Sequence, residues 1–202
     1  MQPCQLNLLI GRCWGFFQYR MNAWASAYAA EKLRRKLRCI GPNVELPSNL
    51  EVDYAERIAI GDWVYIGPGG SLSGRGGLEI ADHVVIGPKV IIMTSMHNYR
   101  GAEYIPYGEI ELLKPVEVGL ACWIGMGAIV MPGVTLGKGC IVGAGSVVTK
   151  SFPDGSIVAG NPAKIVGQRD MQLFLDHLAK DRTYLKNWYF KGKPKVEQMA
   201  DV

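Results

Sequence analysis

The chain lacks the cysteine pattern of a disulfide scaffold or a zinc ribbon. Its five cysteines are an odd number, they are scattered, and no C-x-x-C pair occurs, so neither kind of site is expected. The net charge of +4 is small, and the basic runs lack the interleaved aromatic residues of a base-stacking surface. We therefore expect no nucleic-acid partner. Free thiols fit a reducing compartment, which predicts a cytoplasmic protein.

Long hydrophobic runs are also absent. The most apolar stretch, residues 6–30, is interrupted by Arg12 and Arg20, whereas a membrane-spanning helix needs about 20 nearly uncharged apolar residues. It also does not fit a signal peptide, which should end in a small-residue cleavage site. An amphipathic helix that packs on the domain or on a membrane surface is the better interpretation. Peripheral contact with the inner face of a membrane, or with a lipid-linked sugar, therefore stays open.

Histidine is scarce, with three in the chain. His83 is expected to point outward from the repeat described below, and His177 is expected on the face of a C-terminal helix. His97 stands apart, in a segment rich in polar and aromatic residues. Catalytic zinc needs three protein ligands, so we predict no metal site.

What the sequence does contain is a period of six. Between residues 118 and 148 an aliphatic residue recurs at every sixth position, and glycine usually follows it. This period fits neither an ordinary helix nor a two-faced sheet, and it indicates an all-β fold, a parallel β-helix of hexapeptides. The aliphatic residues are Val118, Ile124, Val130, Leu136, Val142 and Val148.

Each hexapeptide is expected to form one flat side of a three-sided prism. The aliphatic residue would fill the interior, and successive coils would stack at about 4.8 Å. The glycine that follows, such as Gly119 or Gly125, is expected to permit the bend by adopting a positive φ. Cys122 and Cys140 fall on a compact interior position of the repeat, which predicts small core residues.

The repeat divides the chain into three segments. We predict an N-terminal helical segment at residues 1–39, a β-helix domain at residues 40–167 and a C-terminal helical tail at residues 168–202. An open prism end exposes unpaired backbone and invites stacking of chains. The two helical segments are therefore expected to cover the ends, as capping elements do in solenoids.

The period is broken at two places. A slip of two residues at 74–77 predicts a longer corner or a small loop that leaves the prism. At residues 93–115 the pattern vanishes, which predicts a loop extruded from the prism. An irregular segment of this length inside a regular repeat is more often functional than incidental. His97 lies in this loop, either as a hydrogen-bonded loop residue or as a catalytic one.

The second half of the chain carries a set of glycine-rich motifs. They are Pro115-Val116-x-Val118-Gly119, Trp123-Ile124-Gly125-x-Gly127-Ala128, Pro132-Gly133-Val134-Thr135-Leu136-Gly137, Gly143-Ala144-Gly145-Ser146-Val147-Val148-Thr149-Lys150 and Ala159-Gly160-Asn161-Pro162-Ala163-Lys164. Together they resemble the hexapeptide-repeat acyltransferases, most closely bacterial sugar O-acetyltransferases of the galactoside, maltose and nodulation-factor type. The resemblance extends over residues 58–166.

The resemblance implies a left-handed β-helix and a homotrimer whose active sites lie between subunits. It implies acetyl-CoA as donor and a sugar hydroxyl as acceptor, in a surface polysaccharide or its precursor. His97 would be the general base that allows the hydroxyl to attack the thioester directly. The family's glutamate, which would orient this histidine, maps best to Glu109, with Glu111 as the competitor.

The resemblance also implies binding roles. The residues that would contact CoA are Gly125, Met126, Ala144, Thr149 and Lys150. Those that would contact the acceptor are Trp123, Asn98 and Tyr99. The turn at residues 124–126 is the candidate oxyanion donor, and Lys150 would meet the nucleotide phosphates.

Two departures from the family pattern leave the acceptor open. The commoner sugar enzymes have proline after the loop histidine, where this chain has Asn98. Their late arginine, which could contact CoA, falls on Gly167, and Arg169 is the nearest substitute.

Other function classes share parts of this pattern. N-acetylation of an amino sugar or another amino compound needs the same base and thioester, so the sequence does not separate it from O-acetylation. A non-catalytic β-helix binding module would leave His97 and the motif at residues 144–150 unexplained. The γ-type carbonic anhydrases share the prism, but only His83 and His97 lie in the repeat domain, and a zinc site needs three ligands.

Overall fold

The computed structural model describes residue 21 and residues 24–191. The chain separates into two compact units, residues 1–36 and residues 37–202. In the first unit residues 24–34 form helix α1, whose Ala, Glu, Lys, Arg and Leu residues are good helix formers. Within the same predicted segment, residues 35–38 form a turn and a bend and Cys39 begins a strand, while residues 1–20, 22 and 23 lie outside the described residues. No helix within residues 24–191 has the length and apolar character needed to cross a membrane.

The second unit is built from short strands and two α-helices. The strands are β1 (Cys39–Ile40), β2 (Glu51–Asp53), β3 (Ile58–Ile60), β4 (Tyr65–Ile66), β5 (Ser71–Ser73), β6 (Leu78–Ile80), β7 (Val85–Ile86), β8 (Ile91–Ile92), β9 (Ser95–His97), β10 (Glu111–Leu113), β11 (Val116–Val118), β12 (Trp123–Ile124), β13 (Ile129–Val130), β14 (Thr135–Leu136), β15 (Ile141–Val142), β16 (Val147–Val148), β17 (Ser156–Gly160) and β18 (Ala163–Gln168). The helices are α2 (Met171–Ala179) and α3 (Tyr184–Lys191).

The strands stack into three faces of a prism. Face A contains β1, β3, β6, β11 and β14, face B contains β4, β7, β12, β15 and β17, and face C contains β2, β5, β8, β13 and β16. Strands within each face are parallel, and the chain visits faces A, B and C in turn. Strand β18 pairs antiparallel with β17 and ends face B. The predicted three-sided parallel β-helix is confirmed.

The aliphatic residues that mark the period fill the prism interior, as predicted. All six, from Val118 to Val148, are at most 2% exposed. Full burial of one such side chain contributes about 1.5–3 kcal/mol relative to exposure. This repeated burial explains how strands of two or three residues form a stable wall.

The two cysteines at the compact position are also buried, as predicted. The Cys122 thiol donates to the Gly137 carbonyl at 3.0 Å, and the Cys140 thiol donates to the Pro153 carbonyl at 3.1 Å. Hydrogen bonding to Cys140 and burial raise the pKa of Cys122, so this side chain is a neutral core residue.

The glycine after each aliphatic residue has a different role from the one expected. A Cβ atom at Gly125 would lie 2.6 Å from the backbone nitrogen of Ala144 on the next coil, so the coils approach too closely for a side chain. The left-handed residue that turns the chain stands two places later, at Gly127, with φ of 68°. The prediction that Gly125 supplies the positive φ is wrong.

The coils before and after the extruded loop differ in length. The lower coils (residues 39–92) pair Ile60 with Ile80, 20 residues later. The upper coils (residues 116–160) pair Val118 with Leu136, 18 residues later. The two extra residues of a lower coil lie between faces C and A, where the Gly77 N–H donates to the Gly74 carbonyl at 2.8 Å. The predicted longer corner is confirmed.

The C-terminal helices run along the side of the prism. Phe174 of α2 packs against Gly139 of an upper coil, and Tyr189 of α3 meets Trp63 of a lower coil edge-on, with ring centroids 6.0 Å apart. The expectation that this segment covers an open prism end is wrong. Within the described residues the predicted helical tail contains these two helices, and Asp181 in the connection has φ of 53°.

Candidate active site

The extruded loop forms a β-hairpin arm, residues 93–115. Strands β9 and β10 pair antiparallel with each other, and the arm leaves the prism at the corner between faces C and A. Thr94 at its base is fully buried, donates its hydroxyl to the Ser73 carbonyl at 3.0 Å and accepts from the Gly76 N–H at 2.8 Å. These bonds fix the arm to a lower coil.

His97 lies on this arm, stacked on an aromatic ring and paired in register with an acidic residue. Its imidazole stacks on Tyr107, with ring centroids 3.9 Å apart and planes inclined by 12°. The register pairs His97 directly with Glu111, and the Cβ atoms of such opposite residues are about 4.5–5.5 Å apart on one face. The arm therefore places an acidic residue directly across from His97, which is exposed.

The two candidate glutamates are in different environments. Glu111 is held by Arg75, whose Nε and Nη1 lie 2.6 and 2.9 Å from the two carboxylate oxygens. Glu109 is exposed, two residues nearer the tip. Within residues 24–191 no hydrogen bond joins His97 to either glutamate. The register thus brings Glu111, and not the first-choice Glu109, opposite the imidazole.

The predicted acceptor residues of the arm also differ from each other. The side-chain oxygen of Asn98 accepts from the Arg100 N–H at 3.1 Å, and its carbonyl accepts from the Gly108 N–H. Tyr99 is 59% exposed, with the Arg100 guanidinium 5.7 Å from its ring centroid. Asn98 therefore shapes the tip of the arm, while Tyr99 presents its ring to solvent.

The corner between faces B and C stacks one equivalent residue per coil. From one coil to the next, these residues are Pro68, Pro88, Met126 and Ala144. The carbonyl of each of the first three accepts a hydrogen bond from the following coil. Proline has no N–H. The N–H groups of Met126 and Ala144 donate to no other residue in the described part of the chain. This corner therefore presents backbone donors on the upper coils and none at the two prolines.

This arrangement reduces the number of candidate oxyanion donors in the turn at residues 124–126. The Gly125 N–H donates to the Val142 carbonyl at 2.8 Å, so it is occupied by the stacking of the coils. The Met126 N–H is the available donor of that turn. Thr149 and Lys150 follow β16 on face C and are exposed, with the Lys150 ammonium 5.8 Å from the Phe152 ring centroid.

Trp123 lies on face B, away from the corner where the arm departs. It is 51% exposed and lines a cavity of about 610 Å³ between the prism and helices α2 and α3. No arm residue lines this cavity. In a single chain, the arm residues therefore lie at one corner of the prism. Another corner contains Gly125, Met126 and Ala144.

The cavity contains residues that the sequence analysis did not assign to a site. His83 faces outward from the prism and His177 lies on α2, as expected, and both line this cavity together with Arg169. The sequence signal that could have indicated this cavity is the presence of Arg169, His177 and Arg182 in the tail. Within the described residues, no group of three or more His, Cys, Asp or Glu side chains is placed to hold a metal ion.

Comparison with known proteins identifies relatives over most of the chain. The family described as bacterial transferase hexapeptide (six repeats) matches residues 115–150. The chain is 38% identical over 154 residues to nodulation protein L of Rhizobium leguminosarum bv. viciae, across 71% of this chain and 80% of that protein. It is 29% identical over 167 residues to a putative colanic acid biosynthesis acetyltransferase of Escherichia coli strain K12, across 81% and 89% of the two chains.

Solved structures contain the same architecture. A galactoside acetyltransferase in complex with coenzyme A superposes with a TM-score of 0.63 at 27% identity, across 82% of this chain and 76% of that chain. The similarity extends well beyond the hexapeptide match at residues 115–150.

Proposed function

The chain belongs to the hexapeptide-repeat acyltransferases, and on that premise we propose that it transfers an acetyl group from acetyl-CoA to a sugar hydroxyl in a surface polysaccharide or its precursor. The observation that carries the proposal is the projection of His97 from the prism on an ordered arm. The relatives named for galactosides and for colanic acid biosynthesis support a saccharide acceptor.

His97 is the general base in this proposal. Imidazole titrates near neutral pH and removes the proton of a bound hydroxyl as the hydroxyl attacks, which typically contributes about 10²–10⁴-fold. Stacking on Tyr107 fixes the plane of the ring. A carboxylate that accepts from the second ring nitrogen fixes the tautomer, and Glu109 and Glu111 are the two candidates. The register supports Glu111.

The corner between faces B and C would hold the donor. Acetyl-CoA, when bound, supplies the thioester carbonyl. The N–H groups of Met126 and Ala144 would hydrogen-bond acetyl-CoA along this corner, beside Gly125. Met126 is also the proposed oxyanion donor. Thr149 and the positive charge of Lys150 would interact with the nucleotide phosphates.

A homotrimer would bring these separate groups together. The arm departs between faces C and A, whereas Trp123 lies on face B and Met126 on the corner between faces B and C. In a triangular prism these features point in different directions. We therefore propose that the arm of one chain completes the site on the next chain. The buried free cysteines support a cytoplasmic location, and contact of the N-terminal segment with a membrane remains a prediction.

The test is a thiol-release assay with acetyl-CoA and a panel of sugars and amino sugars. Substituting His97→Ala should lower release by at least about a hundredfold, as for a lost general base, and should retain the fold because His97 is exposed. Glu103→Ala, at an exposed position of the same arm, should behave like wild type.

Each contrary outcome has a distinct meaning. Unchanged turnover in His97→Ala would remove this residue from the mechanism. Faster release with amino sugars than with sugars would favour N-acetylation. Failure to bind CoA would favour a non-catalytic binding module.

A further inference from the structure

The cavity on face B collects buried polar atoms that have no hydrogen-bond partner. They are His83 Nδ1, Arg169 Nε, His177 Nδ1 and Thr183 Oγ1. All four of these residues line the cavity, and the described residues contain no other buried side-chain nitrogen or oxygen of this kind. Native proteins seldom leave such groups unpaired. Their concentration around one cavity makes this cavity the candidate site for a ligand.

The groups around the cavity favour a negatively charged ligand. Arg169 offers a guanidinium fork, which matches the oxygens of a phosphate. Thr183 is 8% exposed and directly precedes α3, so its hydroxyl stands at a helix N-terminus, where unpaired N–H groups attract anions. Arg182 adds a second guanidinium at the exposed rim.

One carboxylate, that of Asp170, also lines the cavity. Its oxygen accepts from the Leu173 N–H at 2.9 Å and caps the first turn of α2. Because the helix N-terminus already compensates this charge, the cavity retains a positive excess from Arg169 and Arg182.

The remaining walls are apolar and aromatic. Trp123 lies on one side, and Phe174 and Tyr184 lie on the other. The Arg169 guanidinium lies 5.4 Å from the centroid of the Phe174 ring, which orients its fork. A ligand that joins a phosphate to a ring with an apolar face fits both parts of the cavity.

We propose that this cavity binds a phosphate group carried by the acceptor, so that the preferred acceptor is a sugar phosphate or sugar diphosphate. Trp123, the candidate acceptor residue, lines the cavity, as does Arg169, the substitute for the family's late arginine, whereas the other candidate CoA residues do not. The assignment to the acceptor rests on the proposed function; the binding of phosphate in the cavity does not.

Binding is tested by calorimetric titration of the full chain with inorganic pyrophosphate, in the absence of acetyl-CoA. Wild type should bind. Thr183→Val removes one hydroxyl at nearly constant volume and should weaken binding about tenfold, as for one hydrogen bond to a charged group. Arg169→Lys keeps the charge but loses the fork, and should also weaken binding about tenfold or more.

A matched control distinguishes the cavity from general charge. Lys180→Ala removes a positive charge from the end of α2, outside the cavity, and should bind pyrophosphate like wild type. Thermal unfolding of each variant verifies the fold. The proposal is overturned if wild type does not bind pyrophosphate, or if both cavity variants bind it as wild type does.

Steady-state kinetics separates the acceptor from the donor as the source of the phosphate. A sugar phosphate should have a lower KM than the same free sugar, and Thr183→Val should raise that KM about tenfold with the KM for acetyl-CoA unchanged. Displacement of pyrophosphate by CoA alone would overturn the acceptor assignment. Pyrophosphate binding without any acetyl transfer would instead contradict the proposed function and leave the phosphate site standing.

Discussion

The lower and upper coils of the prism share one architecture but differ at the corner between faces B and C. In the lower coils this corner is closed by Pro68 and Pro88, which cannot donate a hydrogen bond. In the upper coils Met126 and Ala144 occupy the same place and present N–H groups that pair with no other residue in the described part of the chain. Equivalent positions of a repeat can therefore lack a backbone donor in one coil and present one in another, although the burial pattern is unchanged.

The lower coils have a complementary role at another corner. The longer turn between faces C and A contains Arg75, which holds Glu111 of the arm. The shorter turns of the upper coils have no counterpart of this residue. The lower coils thus support the proposed base, while the upper coils would hold the donor.

The largest expected effect tests whether the two regions unfold together. Ile86 of β7 and Ile124 of β12 are paired in register across the junction, and both are at most 1% exposed. Substituting either by Ala should lower the free energy of unfolding by about 2–5 kcal/mol, measured by denaturant titration. Ile91→Ala, at a position that is 38% exposed, is the matched control and should cost clearly less. Separate transitions for the two regions would contradict one cooperative prism.

The next effect concerns the backbone N–H donors at the corner between faces B and C. Met126→Pro gives the upper coil the residue that lower coils carry, so the fold should tolerate it, but the N–H is lost. We expect the KM for acetyl-CoA to rise about tenfold, as for one lost hydrogen bond. Pro88→Ala, which adds an N–H to a lower coil, should leave kinetics unchanged. If Met126→Pro bound acetyl-CoA normally, this N–H would have no part in donor binding.

A third comparison sets the two glutamates against each other. Because Glu111 stands opposite His97, Glu111→Gln should lower kcat about tenfold by weakening the group that orients the imidazole. Glu109→Gln serves as the matched variant on the same arm and should have a smaller effect. The reverse order in a steady-state assay would return the orienting role to Glu109.

The smallest effect separates two glycines of one corner. Gly127 has φ of 68°, and a Cβ atom added there would meet no atom of the described chain within 4 Å beyond its neighbours. Gly127→Ala should therefore cost about 1–2 kcal/mol of stability from backbone strain alone. Gly125→Ala should cost more, because its Cβ would meet the next coil at 2.6 Å. Denaturant titration of the two variants checks the order, and equal costs would contradict the assigned roles.

Much of the prism can be predicted from local pattern, while the details of the arm cannot. The interior positions of Val118 to Val148 follow from the period because each coil repeats the same burial. The sequence predicts an irregular segment, whereas the structure forms a hairpin there. Strands β9 and β10 are short, and their pairing depends on contacts such as Thr94 with Ser73. The mistaken role of Gly125 has a similar cause. A period marks where glycine is required but does not show whether φ or a close approach requires it.

The chain's repeat is sufficient to predict a three-sided β-helix and to identify the segment that leaves it. The reason is that every coil buries its aliphatic residues with the same six-residue pattern. The cavity on face B, the proposed phosphate site, has no such local pattern. It joins His83 to residues 169–184, and it exists because α2 and α3 lie along the prism instead of over its end. That placement depends on contacts between distant residues, such as Tyr189 with Trp63, which no periodicity encodes.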